Sequence, residues 1–415
     1  MVVELVSVGT EILMGNIVNT NAQFLAEKCA NLGLMAYYQT VVGDNHDRMA
    51  AVIRTALDRS DIVIISGGLG PTEDDMTKEV CAEVMGCELK EDEHSRNRIQ
   101  EYFDRITATE VTNNNWKQAL APKGAIVLDN ENGTAPGYIL EKDGKTAILL
   151  PGPPDEMIPM FMEQVYPYLQ ARQPEVFYTR IVKVCGIGES RLETEILDLI
   201  ENQTNPTIAT YAKVGEVHVR ITAKAETEEL AKQLVKPVVK EIKQRLGDYV
   251  YATKEQVTLE KAVVKLLEKY DLKVTTAESC TGGLLAGRLL NVPGASDVFK
   301  EGFITYSNKA KRKYLDVNKS TIKKYTAVSE EVAKEMAIGG VFATDCDACV
   351  AVTGLAGPGG GTEEKPVGLV YIATYMKDSV KVKEYYFKGD RAKIRQQAVV
   401  KALDLLRRSI LENYR

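Results

Sequence analysis

The chain has 415 residues, 45% hydrophobic and 27% charged, with 52 Lys and Arg against 58 Asp and Glu and a net charge of −6. That length exceeds one ordinary core and predicts two or three domains. The acidic balance argues against a protein that coats nucleic acid, and no apolar run approaches the roughly 18–20 residues that span a bilayer.

The first stretch, MVVELVSVGTEIL, has no basic region before its apolar run and carries Glu4, so it reads as a first strand and not as a signal peptide. Seven scattered cysteines fit reduced, partly buried thiols of a cytoplasmic protein. Cys346 and Cys349 form a C-x-x-C that runs straight into a strand-like segment, with no second ligand pair nearby, so neither zinc nor redox chemistry is expected of it. The sequons at Asn132, Asn202 and Asn318 carry no meaning in a cytoplasmic chain.

Residues 1–170 alternate strand and helix patterns. VVELVSVG is strand-like and a helix follows from about Asn21. MAYYQTVVG and DIVIISGG are strand-like, with the helical DRMAAVIRTALDRS between them. Such alternation predicts βαβ units and a parallel sheet, whose ligands sit at the carboxyl ends of strands. Two loops carry chemistry. SGGLGPTEDDMTKE places Gly67, Gly68 and Gly70 where backbone can approach phosphates, then Asp74 and Asp75 opening a helix; paired carboxylates can hold a divalent cation, or simply favour the helix dipole. VGTEILMGNIVNTN supplies Glu11, Asn16 and Asn19 after the first strand, and Asp44 ends the next one.

Residues 171–254 read strand, helix, strand, strand, helix, a small α+β unit with Pro237 marking a possible kink. The order is KH-like, but no G-x-x-G loop is present and Gly186-Ile-Gly188 is not one, so connection or dimer contact is expected in place of RNA binding.

Residues 255–415 form a second α/β domain. In KVTTAESCTGGLLAG a strand ends at Ala277 and a helix begins at Leu284, with Ser279, Cys280 and Thr281 in the turn and Gly282 and Gly283 after them. Read alone, this needs to be no more than a capped turn. A serine or cysteine nucleophile, however, needs a proton acceptor. The three histidines, His46, His94 and His218, all lie outside this domain, which leaves lysine, whose pKa falls when it is desolvated. Lys309, Lys311 and Lys313 follow Tyr306 in TYSNKAKRKYL, and periodicity does not choose among them. VTGLAGPGGGTEEKPVG is a further backbone cradle after a strand, or a plain surface loop. Ser329 is the expected N-cap of one helix, and the last helix starts near Asp390. The three elements together suggest a Ser-Lys amidohydrolase acting on a phosphorylated small molecule.

AESCTGG, GFITYSNKAK, AVSEEVAKEMAIG, VTGLAGPGGGTEEKPVG and GDRAKIRQQA resemble the C-terminal domain of the CinA (competence/damage-inducible) family, which is similar to the nicotinamide-nucleotide amidase PncC. The resemblance implies hydrolysis of nicotinamide mononucleotide to nicotinate mononucleotide and ammonia. It implies Ser279 as nucleophile, Lys311 as general base and Tyr306 as their assistant. Thr281, Gly282, Gly283, Thr353 and Gly354 would surround the substrate, Arg395 would meet its phosphate, and Cys280 would be a bystander.

The N-terminal loops, with NENGTAPG and LPGPPDEM, resemble the molybdopterin-binding domain and more closely the CinA N-terminal domain; the middle segment fits the family's linker. This implies an α/β sandwich, a KH-like α+β unit and an α/β amidase domain in one chain. It also implies a metal-dependent ADP-ribose pyrophosphatase, with Gly67, Gly68, Gly70, Glu11 and Asn19 at the substrate and Asp44, Asp75 and Glu156 at a divalent cation. No cofactor is expected for the amidase. A homodimer is expected from the family alone. The alternatives are that only one domain is active, that the protein is regulatory and linked to competence, or that the first domain binds a pterin without hydrolysis.

Overall fold

Along the buried strands, neighbouring side chains fall into different cores. Ile62 and Ile64 belong to one apolar cluster and Val63 and Ile65 to another. The same split recurs at Ile148 and Leu150 against Ala147 and Leu149. A strand packed on both faces reads as a continuous aliphatic run, which is how IVII and AILL look in the sequence. The computed structural model describes residues 1–106, 112–172 and 175–415. It divides into two compact units, Met1–Tyr178 with Lys224–Ala231, and Thr179–Ala223 with Lys232–Arg415.

The first unit is built on a six-stranded sheet. Its strands are β1 (Val2–Val8), β2 (Met35–Val42), β3 (Ile62–Ser66), β6 (Ile126–Leu128), β7 (Gly137–Lys142) and β8 (Lys145–Leu150), in the order β2-β1-β3-β8-β7-β6. β4 (Leu89–Glu91) and β5 (Leu120–Pro122) make a small antiparallel pair of their own. β1, β2, β3 and β8 run parallel, so the four loops that leave their carboxyl ends open onto one edge. The parallel sheet expected from the βαβ pattern is present, with β6 and β7 added antiparallel at one side.

The rest of the chain contains two further sheets. β9 (Val176–Cys185), β10 (Thr207–Lys213), β11 (Glu216–Ala225) and β12 (Val250–Ala252) are ordered β10-β11-β9-β12. Val217, Val219, Ile221 and Ala223 alternate into the core of this sheet. The helix expected between β9 and β10 is two short pieces, Glu189–Glu195 and Leu197–Glu201, and the helix Glu228–Leu246 continues through Pro237. The strand β12, which closes the sheet against β9, was not anticipated, because VYA is too short to show a period.

The other sheet has the order β14-β13-β15-β16-β17, from β13 (Val274–Glu278), β14 (Phe299–Ile304), β15 (Ala348–Gly354), β16 (Leu369–Met376) and β17 (Ser379–Tyr386). β13 lies between β14 and β15 and parallel to both, whereas β16 and β17 are antiparallel additions. The last helix, Arg391–Tyr414, is capped by the Asp390 side chain as expected, and Ser329 caps Glu330–Thr344. Six of the seven cysteines are buried and Cys87 is half-buried; all seven are free thiols. Among the described residues no helix is long and apolar enough to cross a membrane.

Candidate active sites

Ser279 follows the last residue of β13, Thr305 and Tyr306 follow β14, and Thr353 and Gly354 end β15. Because the three strands are adjacent and parallel, their carboxyl ends gather motifs far apart in the sequence. The backbone stitches them together: Ser279 N–H donates to Val352 O (2.9 Å) and Thr305 N–H to Glu278 O (2.8 Å).

Of the three lysines, the fold chooses Lys311. Ser307 caps the helix Asn308–Leu315, and its buried face carries Lys311 and Leu315, one turn apart. Lys309 and Lys313 lie on the exposed side. Lys311 is fully buried, and its Nζ donates to Ser279 Oγ (2.9 Å), Thr305 O (2.7 Å) and Tyr306 O (3.3 Å). Burial pulls its pKa down from 10.5 to about 8. A neutral amine keeps two N–H donors. With those held by the two carbonyls, its lone pair is left for the hydroxyl proton of Ser279. Cys280, next door, is a core thiol that burial pushes up to about 11, so it stays protonated and packed.

Several expected contacts differ from the sequence reading. The Tyr306 phenol is exposed, and it is the Tyr306 carbonyl that meets the lysine. Thr353 is wholly buried and donates its hydroxyl to Ala327 O (2.7 Å), so it is a strut between the end of β15 and the turn before the helix Glu330–Thr344, while Gly354 gives β15 room against Val370 and Leu369. Gly282 and Gly283 have φ of +59° and +92°, which an L side chain resists, so the turn needs both glycines. Their N–H groups, expected around the substrate, are already taken. Gly282 N–H donates to Ser279 O (3.2 Å), and Gly283 N–H is taken by the Glu278 carboxylate (2.9 Å). Thr281 is buried beneath the turn. Arg395 reaches the turn from the last helix, but its Nε and Nη2 brace the carbonyls of Cys280 (3.0 Å) and Thr281 (2.7 Å), leaving Nη1 for a phosphate. Glu278 itself escaped the sequence reading, since helix-cap signals are sought in Ser, Thr, Asp or Asn beside the helix.

In the first unit a cavity of about 560 Å³ opens at the carboxyl ends of the parallel strands. Gly67, Gly68, Gly70, Glu11, Asn19, Asp44, Asp74, Asp75 and Glu156 all line it, so the structure gathers the N-terminal candidates into one place, except Asn16, which is not part of the lining. Gly67 is indispensable there, because a Cβ on it would lie 2.2 Å from Val8 O. Asn19 also caps the helix Thr20–Asn31, accepting from Ala22 N–H and donating to Ser7 Oγ. Asp74 and Asp75 precede the helix Thr77–Val84 and do not open it; Asp75 instead folds back to accept from Thr72 N–H (3.0 Å) and Oγ (2.5 Å). Lys117, which no motif flagged, holds this loop from below through the carbonyls of Thr72 (3.1 Å) and Asp75 (2.5 Å), and Gln118 holds Leu69 O (3.1 Å).

The acidic lining is of hard carboxylate oxygens, the chemistry of a magnesium-like cation. Asp44 accepts from Thr10 N–H (3.0 Å) and Oγ (2.8 Å), and Glu156, its carboxyl raised by burial, accepts from Asn130 (2.7 Å). Among the described residues no three acidic, His or Cys side chains come together to enclose a metal. The set fits a cation that shares its shell between one or two carboxylates and a ligand's phosphates, and does not fit one held by the protein alone.

Three family profiles match the chain: the CinA C-terminal domain over residues 256–410, a probable molybdopterin binding domain over 4–171 and the damage-inducible protein CinA KH domain over 179–252. A competence-damage inducible protein of Clostridium beijerinckii is 53% identical over 412 residues, covering 99% of this chain and 100% of its own. A CinA-like protein of Kosmotoga olearia is 51% identical, with 99% of each chain covered. The crystal structure of the protein CinA from Thermoplasma acidophilum aligns with 40% of this chain and 99% of its own, at 38% identity and a TM-score of 0.37. With near-complete coverage at half identity, this chain belongs to the competence/damage-inducible CinA family.

Proposed function

We propose that the C-terminal part hydrolyses the carboxamide of nicotinamide mononucleotide to nicotinate mononucleotide and ammonia. The observation that carries this reading is the buried Lys311 Nζ at 2.9 Å from Ser279 Oγ, with its pKa lowered to about 8. The choice of substrate rests on the family resemblance. Neutral Lys311 takes the proton of Ser279 Oγ as the oxygen bonds to the carboxamide carbon, and the carbonyl oxygen gains the charge. The C–N bond then breaks, and Lys311 returns the proton to the leaving nitrogen, which departs as ammonia. Water attacks the acyl-serine, its proton passing to Lys311 and on to Ser279 Oγ. The carboxylate leaves and the enzyme is restored. The test is ammonia release from nicotinamide mononucleotide: the purified protein is expected to release it and Ser279→Ala is not, and no release by the wild type overturns the reading.

The N-terminal cavity is proposed to split ADP-ribose to AMP and ribose 5-phosphate with a divalent cation. The support is the convergence of three glycines and three acidic residues on one parallel-strand edge. One or two of Asp44, Asp75 and Glu156, which line the cavity without closing on one point, would hold the cation together with the diphosphate, where it would offset phosphate charge. Glu11 and Asn19 line the same wall for the sugar or base. AMP formation that a chelator stops and Asp75→Ala abolishes is the expected result; unchanged rates with chelator remove the metal from the scheme, and binding without turnover leaves a nucleotide- or pterin-binding domain. The same resemblance underlies a homodimer, and the scattered free thiols a cytoplasmic location, checked by sedimentation equilibrium and cell fractionation.

A further inference from the structure

Glu278 is the last residue of β13 and only 1% exposed, beside the nucleophile. Removing a carboxylate from water costs several kcal/mol unless partners replace the solvent. Among the described residues no Lys, Arg or His forms an ion pair with it. Its partners are amides: Oε2 accepts from Gly283 N–H (2.9 Å) and Leu285 N–H (3.1 Å), and Oε1 from Ala286 N–H (2.8 Å). The helix Leu284–Leu290 has no side-chain cap of its own, since its N-cap is Gly283. Its cap comes from five residues upstream, across the turn that carries Ser279.

The consequence is a closed ring. The main chain runs from Glu278 through Ser279, Cys280, Thr281 and Gly282 to Gly283, and the Glu278 side chain ties its far end back to its start. Within the ring Gly282 N–H donates to Ser279 O, and Leu284 N–H to Thr281 O (3.3 Å). From outside, Arg395 holds the carbonyls of Cys280 and Thr281. In a trans peptide the C=O and N–H point in opposite directions, so the grip on Cys280 O turns the Thr281 N–H away from Arg395. Every N–H from Gly282 to Ala286 therefore has an acceptor. Of the two in the turn and not in the helix, the Cys280 N–H meets only its own Sγ, and the Thr281 N–H has no acceptor among the described residues.

We propose that Glu278 is a positioning residue of the amidase centre: it locks the 279–282 turn in the one form that leaves the Cys280 and Thr281 N–H groups to stabilise the oxyanion. This rests on the amidase reading above. The first helical turn, already neutralised by Glu278, takes no part in holding the substrate. The carboxylate touches neither substrate nor reacting atoms, and acts through the backbone it fixes. Glutamine, with one oxygen and one NH₂, cannot accept from amides on both sides of its head. Aspartate, one methylene shorter, cannot span to Ala286 and Gly283 together.

The test uses full-length wild type, Glu278→Gln and Glu278→Asp with three readouts. These are ammonia release from nicotinamide mononucleotide, the rate at which a fluorophosphonate labels Ser279 (read by intact mass), and thermal unfolding by circular dichroism. The expected result is a cooperatively folded Glu278→Gln whose kcat falls about a hundredfold while KM stays within about threefold, with labelling slowed in parallel. Glu278→Asp does not rescue it. If Glu278→Gln does not fold, Glu278→Asp alone decides by the same readouts. A folded variant with kcat and labelling within about twofold of wild type overturns the proposal, as does a loss confined to KM. If wild type releases no ammonia yet Ser279 is labelled, and labelling slows in the variants, the substrate reading fails and the positioning role stands. If wild type neither labels nor turns over, both fall.

Discussion

Lys311 Nζ lies 2.9 Å from Ser279 Oγ, and its other two partners are the carbonyl oxygens of Thr305 and Tyr306. Among the described residues no histidine, carboxylate or second hydroxyl belongs to that shell, so the amine is held by two backbone carbonyls and the serine alone. The pair is a self-contained nucleophile and base, and its behaviour follows from burial and three hydrogen bonds.

Specificity of residue is the first consequence. Ser279→Ala and Lys311→Ala each lower kcat by about a thousandfold or more, whereas Lys309→Ala, Lys313→Ala and Cys280→Ala stay within about threefold of wild type. Steady-state ammonia release on the five variants checks this. Activity kept by Ser279→Ala and lost by Cys280→Ala reverses the roles of the two side chains.

The pH profile follows from the base. Only neutral Lys311 accepts the serine proton, and burial puts its pKa at about 8. kcat/KM therefore rises with pH through about 8 and levels off above it. A profile flat from pH 6 to 9 means that the lysine is not the base.

Stability has a pH dependence of known sign. Lys311 has a folded pKa of about 8 against 10.5 unfolded, so the unfolded chain binds more protons between those values. The penalty for burying the ammonium is fully present below about 8 and is relieved as pH rises toward 10.5. Lys311→Met removes it, so the melting temperature of the variant relative to wild type is highest at pH 7 and declines steadily by pH 10. Thermal melts across that range test it, and a difference that grows with pH contradicts it.

Arg395 separates bracing from ligand contact. With Nε and Nη2 on the Cys280 and Thr281 carbonyls, Arg395→Ala is expected to lower kcat by about tenfold or more, with a smaller rise in KM. Arg395→Lys, which cannot hold two carbonyls with a rigid fork, recovers little. A variant with normal kcat and a large KM identifies the side chain as a phosphate ligand instead.

Much of the site was legible because the rules concerned were local or topological. Glycines and hydroxyls between a strand and a helix marked the Ser279 turn, and parallel strands brought the N-terminal candidates to one edge, as β1, β2, β3 and β8 do. The choice of Lys311 was not legible, since one leucine four residues on does not set a face; the fold makes it by burying Lys311 with Leu315. What was not legible depended on distant partners. Thr353 turns inward because Ala327 O waits for it, Glu278 caps a helix beyond the next turn, and Lys117 supports a loop some forty residues upstream. No periodicity or motif encodes those contacts. The acidic residues of the first unit lay on the right edge, but whether carboxylates meet around an ion depends on side-chain directions that spacing does not give.

The burial of the cysteines has a practical consequence. Six thiols lie inside the fold, Cys280 beside the nucleophile among them, and only Cys87 is half-open to water. A single cysteine introduced at exposed Leu284 or Ile304 thus stands nearly alone as a reactive thiol. The rim of the serine turn becomes an address for a fluorophore or spin label, through which movement at the turn can be followed in the otherwise native chain.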